Sequence, residues 1–327
     1  MRRRVAVALG VAIAALAARA DAQWSTVYAQ RYHPGSFNWE FHSHYPDAER
    51  LFYAFDFGHA ILYETLFAHR DAPASRLEET AYRYLVDTLL RHPPRLPLAE
   101  GAIEPEYAKL APEAKAMFDW AHLLHRQIYD VWSDPRLSPE QKDAQVATLV
   151  RYYRSRPDLA FSAHPKDMAL MEGQPYSLAF RRRYPKFNGL IWAYHWLQVG
   201  LYDALIAGTD SASRAANVRA ATAHFWSMLE APPARMPAMM PMTPAVAPRF
   251  TARYPEAAVI FDNLHAMHDV ISDILATPTI PRRAKRAAIL AAAARYRDDT
   301  SNLMTIADWK EMAASMGVAK MGGAAIP

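Results

Sequence analysis

Histidines recur at a fixed spacing in four segments of the chain, and each segment begins with a proline. The four prolines are Pro46, Pro112, Pro185 and Pro255. Ten residues after each proline stand Asp56, His122, His195 and His265. Thirteen residues after each proline stand His59, His125, Gln198 and His268. Six of these eight positions are histidine, although the 327 residues contain only 13 histidines. Because imidazole is a common ligand of transition metals, and a carboxylate often completes the set, the pattern predicts a metal centre made of these eight residues.

The spacing places both sets on one face of a helix. A helix advances about 100° and about 1.5 Å per residue, so the tenth and thirteenth positions lie about 4.5 Å apart along the axis. If a second helix returns the chain in each segment, the four first helices run parallel and the two sets form two layers. That separation approaches the ~3.5–4 Å of two-metal sites. We therefore expect two ions, with iron, copper or manganese favoured, zinc as an alternative, and a non-covalent haem held by two facing histidines as a further one.

Acidic and phenolic side chains near the predicted ligands suit supporting roles. Asp119 and Asp262 stand three residues before His122 and His265, and a carboxylate one turn away can fix the tautomer of a ligating imidazole. Tyr129 and Tyr202 stand seventeen residues after their prolines, where phenols could line an access channel or take part in electron transfer. We therefore expect these four residues to be the catalytic ones.

Two further groups leave their roles open. Acids stand eighteen residues after every proline, at Glu64, Asp130, Asp203 and Asp273. They could ligate metal or bond to a neighbouring helix or loop. A Pro-rich loop carries Met236, Met239, Met240 and Met242. Thioethers favour Cu(I), but methionine also fills space beneath loops.

The elements that must position these residues follow from an internal duplication. The segment from Phe118 to Arg154 aligns without gaps on the segment from Phe261 to Arg297, and the segment from Tyr45 aligns with the one from Tyr184. Each of the four copies is typical of two helices, with the proline in the first turn. Capping boxes are predicted at Ser138 and at Ser75. The fold class is therefore all-α, with four helical hairpins, about eight main helices, around an inner four-helix core.

The copies divide the chain into a leader, two halves and a linker. Residues 1–22 begin with the cluster Arg2-Arg3-Arg4, continue with an apolar run and end with Ala20-Asp21-Ala22. This order is typical of a signal peptide cleaved near Ala22. We expect a periplasmic or secreted protein. The first half covers residues 23–156, the linker 157–183 and the second half 184–327, and together the halves form one helical domain. Beyond the leader no apolar run reaches the ~18 residues of a membrane span.

Composition excludes several classes of chemistry. The chain has no cysteine, so thiol catalysis, disulfides, iron–sulfur clusters and c-type haem are excluded. Without the leader the charges nearly balance, at 33 basic and 32 acidic residues, which argues against binding to nucleic acid. The HExxH, GxSxG, P-loop and GxGxxG motifs are absent. The sequence does not predict the oligomeric state.

These observations predict an exported metalloprotein, with oxygen-using oxidation of a small organic substrate as the first hypothesis. A zinc hydrolase with Asp56 or Asp262 as base is the second. A metal or haem carrier without catalysis is the third, and a helical scaffold without metal is the fourth.

Overall fold

The computed structural model describes residues 39–68, 73–95, 104–230, 241–317 and 322–326. Over these ranges the chain forms fifteen α-helices and no β-strand, which confirms the all-α prediction. The predicted signal peptide, residues 1–22, lies outside the described residues. In the described part of the chain, every helix is either too short or too polar to span a membrane.

The helices differ widely in length, and four of them have 22 or 23 residues. In chain order they are α1 Trp39–His44, α2 Pro46–Ala68, α3 Ala74–Arg83 (continued by a π-helix over Tyr84–Leu89), α4 Pro105–Leu110, α5 Pro112–Ser133, α6 Pro139–Arg154, α7 Ala169–Glu172, α8 Ala179–Arg183, α9 Pro185–Ala207, α10 Ser211–Glu230, α11 Thr243–Val246, α12 Pro248–Arg253, α13 Pro255–Ala276, α14 Arg282–Arg297 and α15 Ile306–Ser315.

The four long helices α2, α5, α9 and α13 begin at the four repeated prolines. Proline suits the first turn because its missing N–H has no partner there in any case. A short helix, α1, α4, α8 or α12, precedes each long helix by one residue. The chain bends at that residue because proline disfavours helical backbone in the residue before it.

The long helices pack across the boundary between the halves. Both α2 and α5, from the first half, contact α9 and α13, from the second half. Their side chains are buried on most sides, so their sequences show no single apolar stripe. This packing holds the middle of each long helix in the centre of the protein.

Two of the shorter helices donate lysine hydrogen bonds to the C-terminal ends of long helices. Lys142 in α6 donates to the main-chain oxygens of Val131, Trp132 and Asp134, and Lys285 in α14 does the same at the end of α13. The predicted capping box at Ser138 is confirmed. The one predicted at Ser75 is wrong, because α3 begins at Ala74 without a side-chain cap.

The acids at the eighteenth position cap the short helices of a neighbouring repeat. In the first half, Asp130 of α5 accepts hydrogen bonds from the main-chain N–H groups of Trp39 (3.1 Å) and Phe41 (2.9 Å) in α1. In the opposite direction, Glu64 of α2 accepts hydrogen bonds from the main-chain N–H groups of Glu106 (3.2 Å) and Tyr107 (3.4 Å) in α4. A carboxylate at this end of a helix satisfies N–H groups that have no partner inside the helix.

The second half repeats this exchange. Asp203 of α9 accepts from the main-chain N–H groups of Arg249 (3.3 Å) and Phe250 (2.8 Å) in α12. Asp273 of α13 accepts from Phe180 (2.8 Å) in α8 and from Leu178 (2.9 Å) just before it. All four acids therefore have a structural partner.

The caps also show that the expected parallel arrangement is wrong. The end of α5 lies beside the start of α2, and the end of α2 lies beside the start of α5, so the two helices run antiparallel. By the same argument α9 and α13 run antiparallel. The second helix of a repeat therefore does not fix the direction of the next long helix.

Candidate metal centre

The six predicted histidine ligands converge in the centre of the protein. They come from the middle of all four long helices, and each is at most 3% exposed. They are His59, His122, His125, His195, His265 and His268; this group is called the histidine cluster below.

Three members of the histidine cluster approach one another closely enough to share a single ion. One ring nitrogen from each of His59, His195 and His268 lies within 4.8 Å of the other two. The Nε2 atoms of His59 and His195 are 3.1 Å apart. Three nitrogens at ~2.1 Å from one tetrahedral ion would be about 3.4 Å apart. Small rotations of these rings would therefore complete a three-nitrogen site.

The remaining three imidazoles adjoin this site. The ring of His265 stacks on His195 with centroids 4.1 Å apart, and the ring of His122 lies 5.6 Å from that of His268. The ring of His125 lies 5.7 Å from that of His265. The histidine cluster is therefore one continuous group.

The histidine cluster combines ligands from both predicted layers. His195 stands at a tenth position, whereas His59 and His268 stand at thirteenth positions. The prediction of two separate layers is therefore wrong. Antiparallel helices bring a tenth position on one helix beside a thirteenth position on another.

Burial favours the neutral form of five imidazoles of the histidine cluster. It lowers the pKa of His122 to about 4, and it holds the pKa values of His125, His195, His265 and His268 well below the ordinary value. Neighbouring imidazoles lower the pKa of the last four further. Neutral imidazole has a free lone pair, which is the form that binds metal.

Several buried polar atoms of the site have no hydrogen-bond partner among the described residues. They include both ring nitrogens of His265, Nε2 of His125, Nδ1 of His268 and both amide atoms of Gln198. A buried polar group without a partner costs about 1–3 kcal/mol. A bound cation would give several of these atoms a partner at once.

Asp56, which we expected to be a ligand, has a different partner. Its Oδ2 accepts a hydrogen bond from the guanidinium of Arg126, and its Oδ1 lies 3.9 Å from Nδ1 of His122. Both residues of this ion pair are shielded from solvent. The positive charge of Arg126 therefore balances Asp56 at the edge of the histidine cluster. Sequence analysis missed Arg126, although it is four residues after His122.

The two carboxylates expected to orient imidazoles also bond elsewhere. Asp119 accepts a hydrogen bond from Lys115 at 2.5 Å. Asp262 accepts bonds from the N–H and hydroxyl of Thr243 and from the indole N–H of Trp309. Because neither nitrogen of His265 has a hydrogen-bond partner among the described residues, the expectation that Asp262 orients that ring is wrong. Burial raises the pKa of Asp262 to about 7.

The two predicted tyrosines do lie beside the histidine cluster. The hydroxyl of Tyr202 is 2.5 Å from Nδ1 of His125. Tyr129 donates to the main-chain oxygen of Gln198, and its ring lies 4.6 Å from that of Tyr202. Both phenols are fully buried. Tyr202 can therefore fix the orientation of His125, and the two phenol rings, tilted by 35° to each other, both lie beside that imidazole.

Comparison with known protein families, with functionally described proteins and with solved structures gives no match for this chain. The geometry of the histidine cluster is therefore the basis for a proposed function.

Proposed function

We propose that this protein binds a transition-metal ion through His59, His195 and His268 and uses it in oxidation chemistry. The observation that carries the proposal is the convergence of three buried ring nitrogens within 4.8 Å. A nitrogen-only ligand set suits copper, iron and zinc. His122, His125, His265 and Gln198 are the ligands proposed for a second ion.

We propose bare ions rather than haem. Rings of the histidine cluster stack with centroids 4.1–5.1 Å apart at the three-nitrogen site. His125 is packed against Phe261 with centroids 3.6 Å apart. A porphyrin needs a wide, flat space between its two axial imidazoles, so this packing favours ions.

Within oxidation chemistry, an oxygen-using oxidoreductase acting on a small organic substrate is the proposed class. The support is the phenol of Tyr202 in hydrogen-bond contact with His125, with the ring of Tyr129 4.6 Å from that of Tyr202. Such phenols suit the transfer of an electron and a proton. The bound ion would supply the redox couple, and these residues would relay charge.

Zinc hydrolysis is less well supported. It needs a free carboxylate as base near the ion. Asp56 is paired with Arg126, and Asp262 is held by Thr243 and Trp309. A metal carrier without catalysis is the stronger second candidate, because burial of the whole histidine cluster favours holding an ion over exchanging substrate.

The finer architecture and the location belong to the same proposal. We propose four helical hairpins around an inner core of α2, α5, α9 and α13, supported by the contacts between the halves. Export to the periplasm or outside the cell rests on residues 1–22 alone. Sequencing the amino terminus of the mature protein tests it.

Metal analysis tests the proposed centre. Protein from its native compartment should contain a stoichiometric transition metal, and its copper-loaded form should show nitrogen hyperfine splitting in the EPR spectrum. His59→Ala with His268→Ala should remove the ion of the three-nitrogen site and so lower the metal content, whereas exposed His164→Ala should not. Full metal content in the double variant, with a native far-UV CD spectrum, would show that the site is misassigned.

Spectroscopy and oxygen consumption separate the two leading classes. A coloured centre that consumes oxygen with a reducing organic substrate supports the oxidoreductase. A coloured centre with no oxygen consumption supports the carrier, and stoichiometric colourless zinc contradicts the redox proposal.

A further inference from the structure

A second candidate site lies beside α13, outside the histidine cluster. A partly open cavity of about 50 Å³ lies between α13, α14, α15, the residues before α11 and those around α7. Four methionine side chains line it, namely Met168, Met171, Met242 and Met312. Asp262, Trp309 and Lys166 also line it, and the Lys166 ammonium donates to the main-chain oxygens of Asp298 and Ser301.

Methionine is strongly enriched around this cavity. The chain has 14 methionines among 327 residues, and four of them meet at this one place. They come from three separate parts of the sequence, so their meeting is a property of the fold. Thioether sulfur is a soft ligand, and among biological metals it selects Cu(I).

The methionines do not act here only as filler. Methionine normally fills irregular gaps because its side chain is flexible. Here four methionine side chains line a partly open cavity instead of filling it.

Asp262 places a carboxylate in the wall of the cavity, and a bound cation would favour its ionised form although burial raises its pKa to about 7. Its Oδ1 accepts bonds from the main-chain N–H of Thr243 (2.9 Å) and from its hydroxyl (2.6 Å), and its Oδ2 accepts a bond from the indole N–H of Trp309 (2.9 Å). These bonds hold the carboxylate in place at the wall. A monovalent cation among neutral thioethers needs such a counter-charge.

We propose that this cavity binds Cu(I) through methionine sulfur, with Asp262 as the balancing charge. The binding is independent of the proposed histidine centre. Asp262 precedes His265 by three residues, which is about 4.5 Å along α13. The cavity is therefore also well placed to load copper into the histidine cluster, and this loading role rests on the proposed function.

Anaerobic titration with Cu(I) against the chelator bicinchoninate tests the proposal, together with X-ray absorption at the copper edge. Wild-type protein with one equivalent of Cu(I) should show sulfur neighbours. Met168→Leu, Met242→Leu and Met312→Leu combined should weaken binding at least 100-fold, because leucine keeps the volume but removes the ligand. The control is Met117→Leu with Met267→Leu, since both residues are buried in the core, and it should bind as wild type.

Failure here is distinguishable from failure of the histidine centre. A protein with His59, His195 and His268 all changed to alanine should still bind one Cu(I) with sulfur neighbours. Copper surrounded only by nitrogen and oxygen in the wild type would overturn the methionine site. So would unchanged affinity in the triple leucine variant, or loss of sulfur-bound copper in the triple alanine variant.

Discussion

Removing the carboxylate of Asp130 should increase local unfolding of α1 and leave that of α4 nearly unchanged. Asp130 is 1% exposed and accepts hydrogen bonds from two main-chain N–H groups of α1. Two bonds to a charged acceptor contribute about 3–6 kcal/mol. Burial raises the pKa of Asp130 to about 6 although both bonds are made, so the cost of burying the carboxylate cancels much of their contribution. Asp130→Ala should therefore cost about 2 kcal/mol, which is below the range for the two bonds alone.

Hydrogen exchange measures this effect locally. A loss of about 2 kcal/mol corresponds to about 30-fold faster exchange, and we expect it for the amides of residues 39–45. Exchange at residues 105–110 should change much less, because Glu64 caps that helix. Glu64→Ala is the matched control and should give the reverse pattern.

The pH dependence provides a second measure of the same carboxylate. The pKa of Asp130 is raised on folding, so its ionisation destabilises the folded state as pH rises from about 4 to about 6. Over that range wild-type protein should lose about 2 kcal/mol relative to Asp130→Asn. Equal acceleration of exchange at both short helices in Asp130→Ala would refute the argument, because it would show that the carboxylate acts on global stability alone.

Three further predictions concern the packing around the site. Lys142→Met should lower the free energy of unfolding by about 2–4 kcal/mol, because three main-chain oxygens lose a charged donor. Urea denaturation measures this loss, and Lys285→Met should give a similar one. A change below about 0.5 kcal/mol in both variants would contradict this role of the two lysines. Gly58→Ala should destabilise by about 1–3 kcal/mol, since the added Cβ would lie 2.7 Å from the ring of Tyr194; thermal unfolding measures it, and an unchanged Tm would show that the ring can move. The free energy of unfolding of Glu49→Gln should rise by up to about 3 kcal/mol relative to wild type as pH rises from 4.5 to 7. The reason is that burial raises the pKa of Glu49 to about 7. Denaturation at several pH values measures this difference, and a difference that does not change with pH would contradict the buried charge.

The meeting of the histidines could be predicted although the helix directions could not. The tenth and thirteenth positions lie on either side of the midpoint of a helix of 22 or 23 residues. Reversing such a helix moves its ends but leaves its middle in place. His59, His195 and His268 therefore still converge. The separation into two layers depended on direction, and this is why that part of the prediction failed.

The spacing of the acidic residues in the sequence does not predict their hydrogen-bond partners. Asp262 stands one turn from His265, but its partners Thr243 and Trp309 come from segments outside the repeat. The roles of Glu64 and Asp130 had a signal that sequence analysis did not use. An aromatic residue stands five residues before every proline, at Phe41, Tyr107, Phe180 and Phe250, and each receives its cap from one of the acids.

The caps and the histidine cluster connect the four repeats in different ways. Every cap joins two repeats of the same half, whereas the three converging imidazoles come from both halves. Each half therefore closes its own helix ends, whereas the three-nitrogen group forms where the two halves meet. The halves also differ within the predicted ligand positions: Gln198 stands where the first half has His59, and Asp56 stands where the second half has His195.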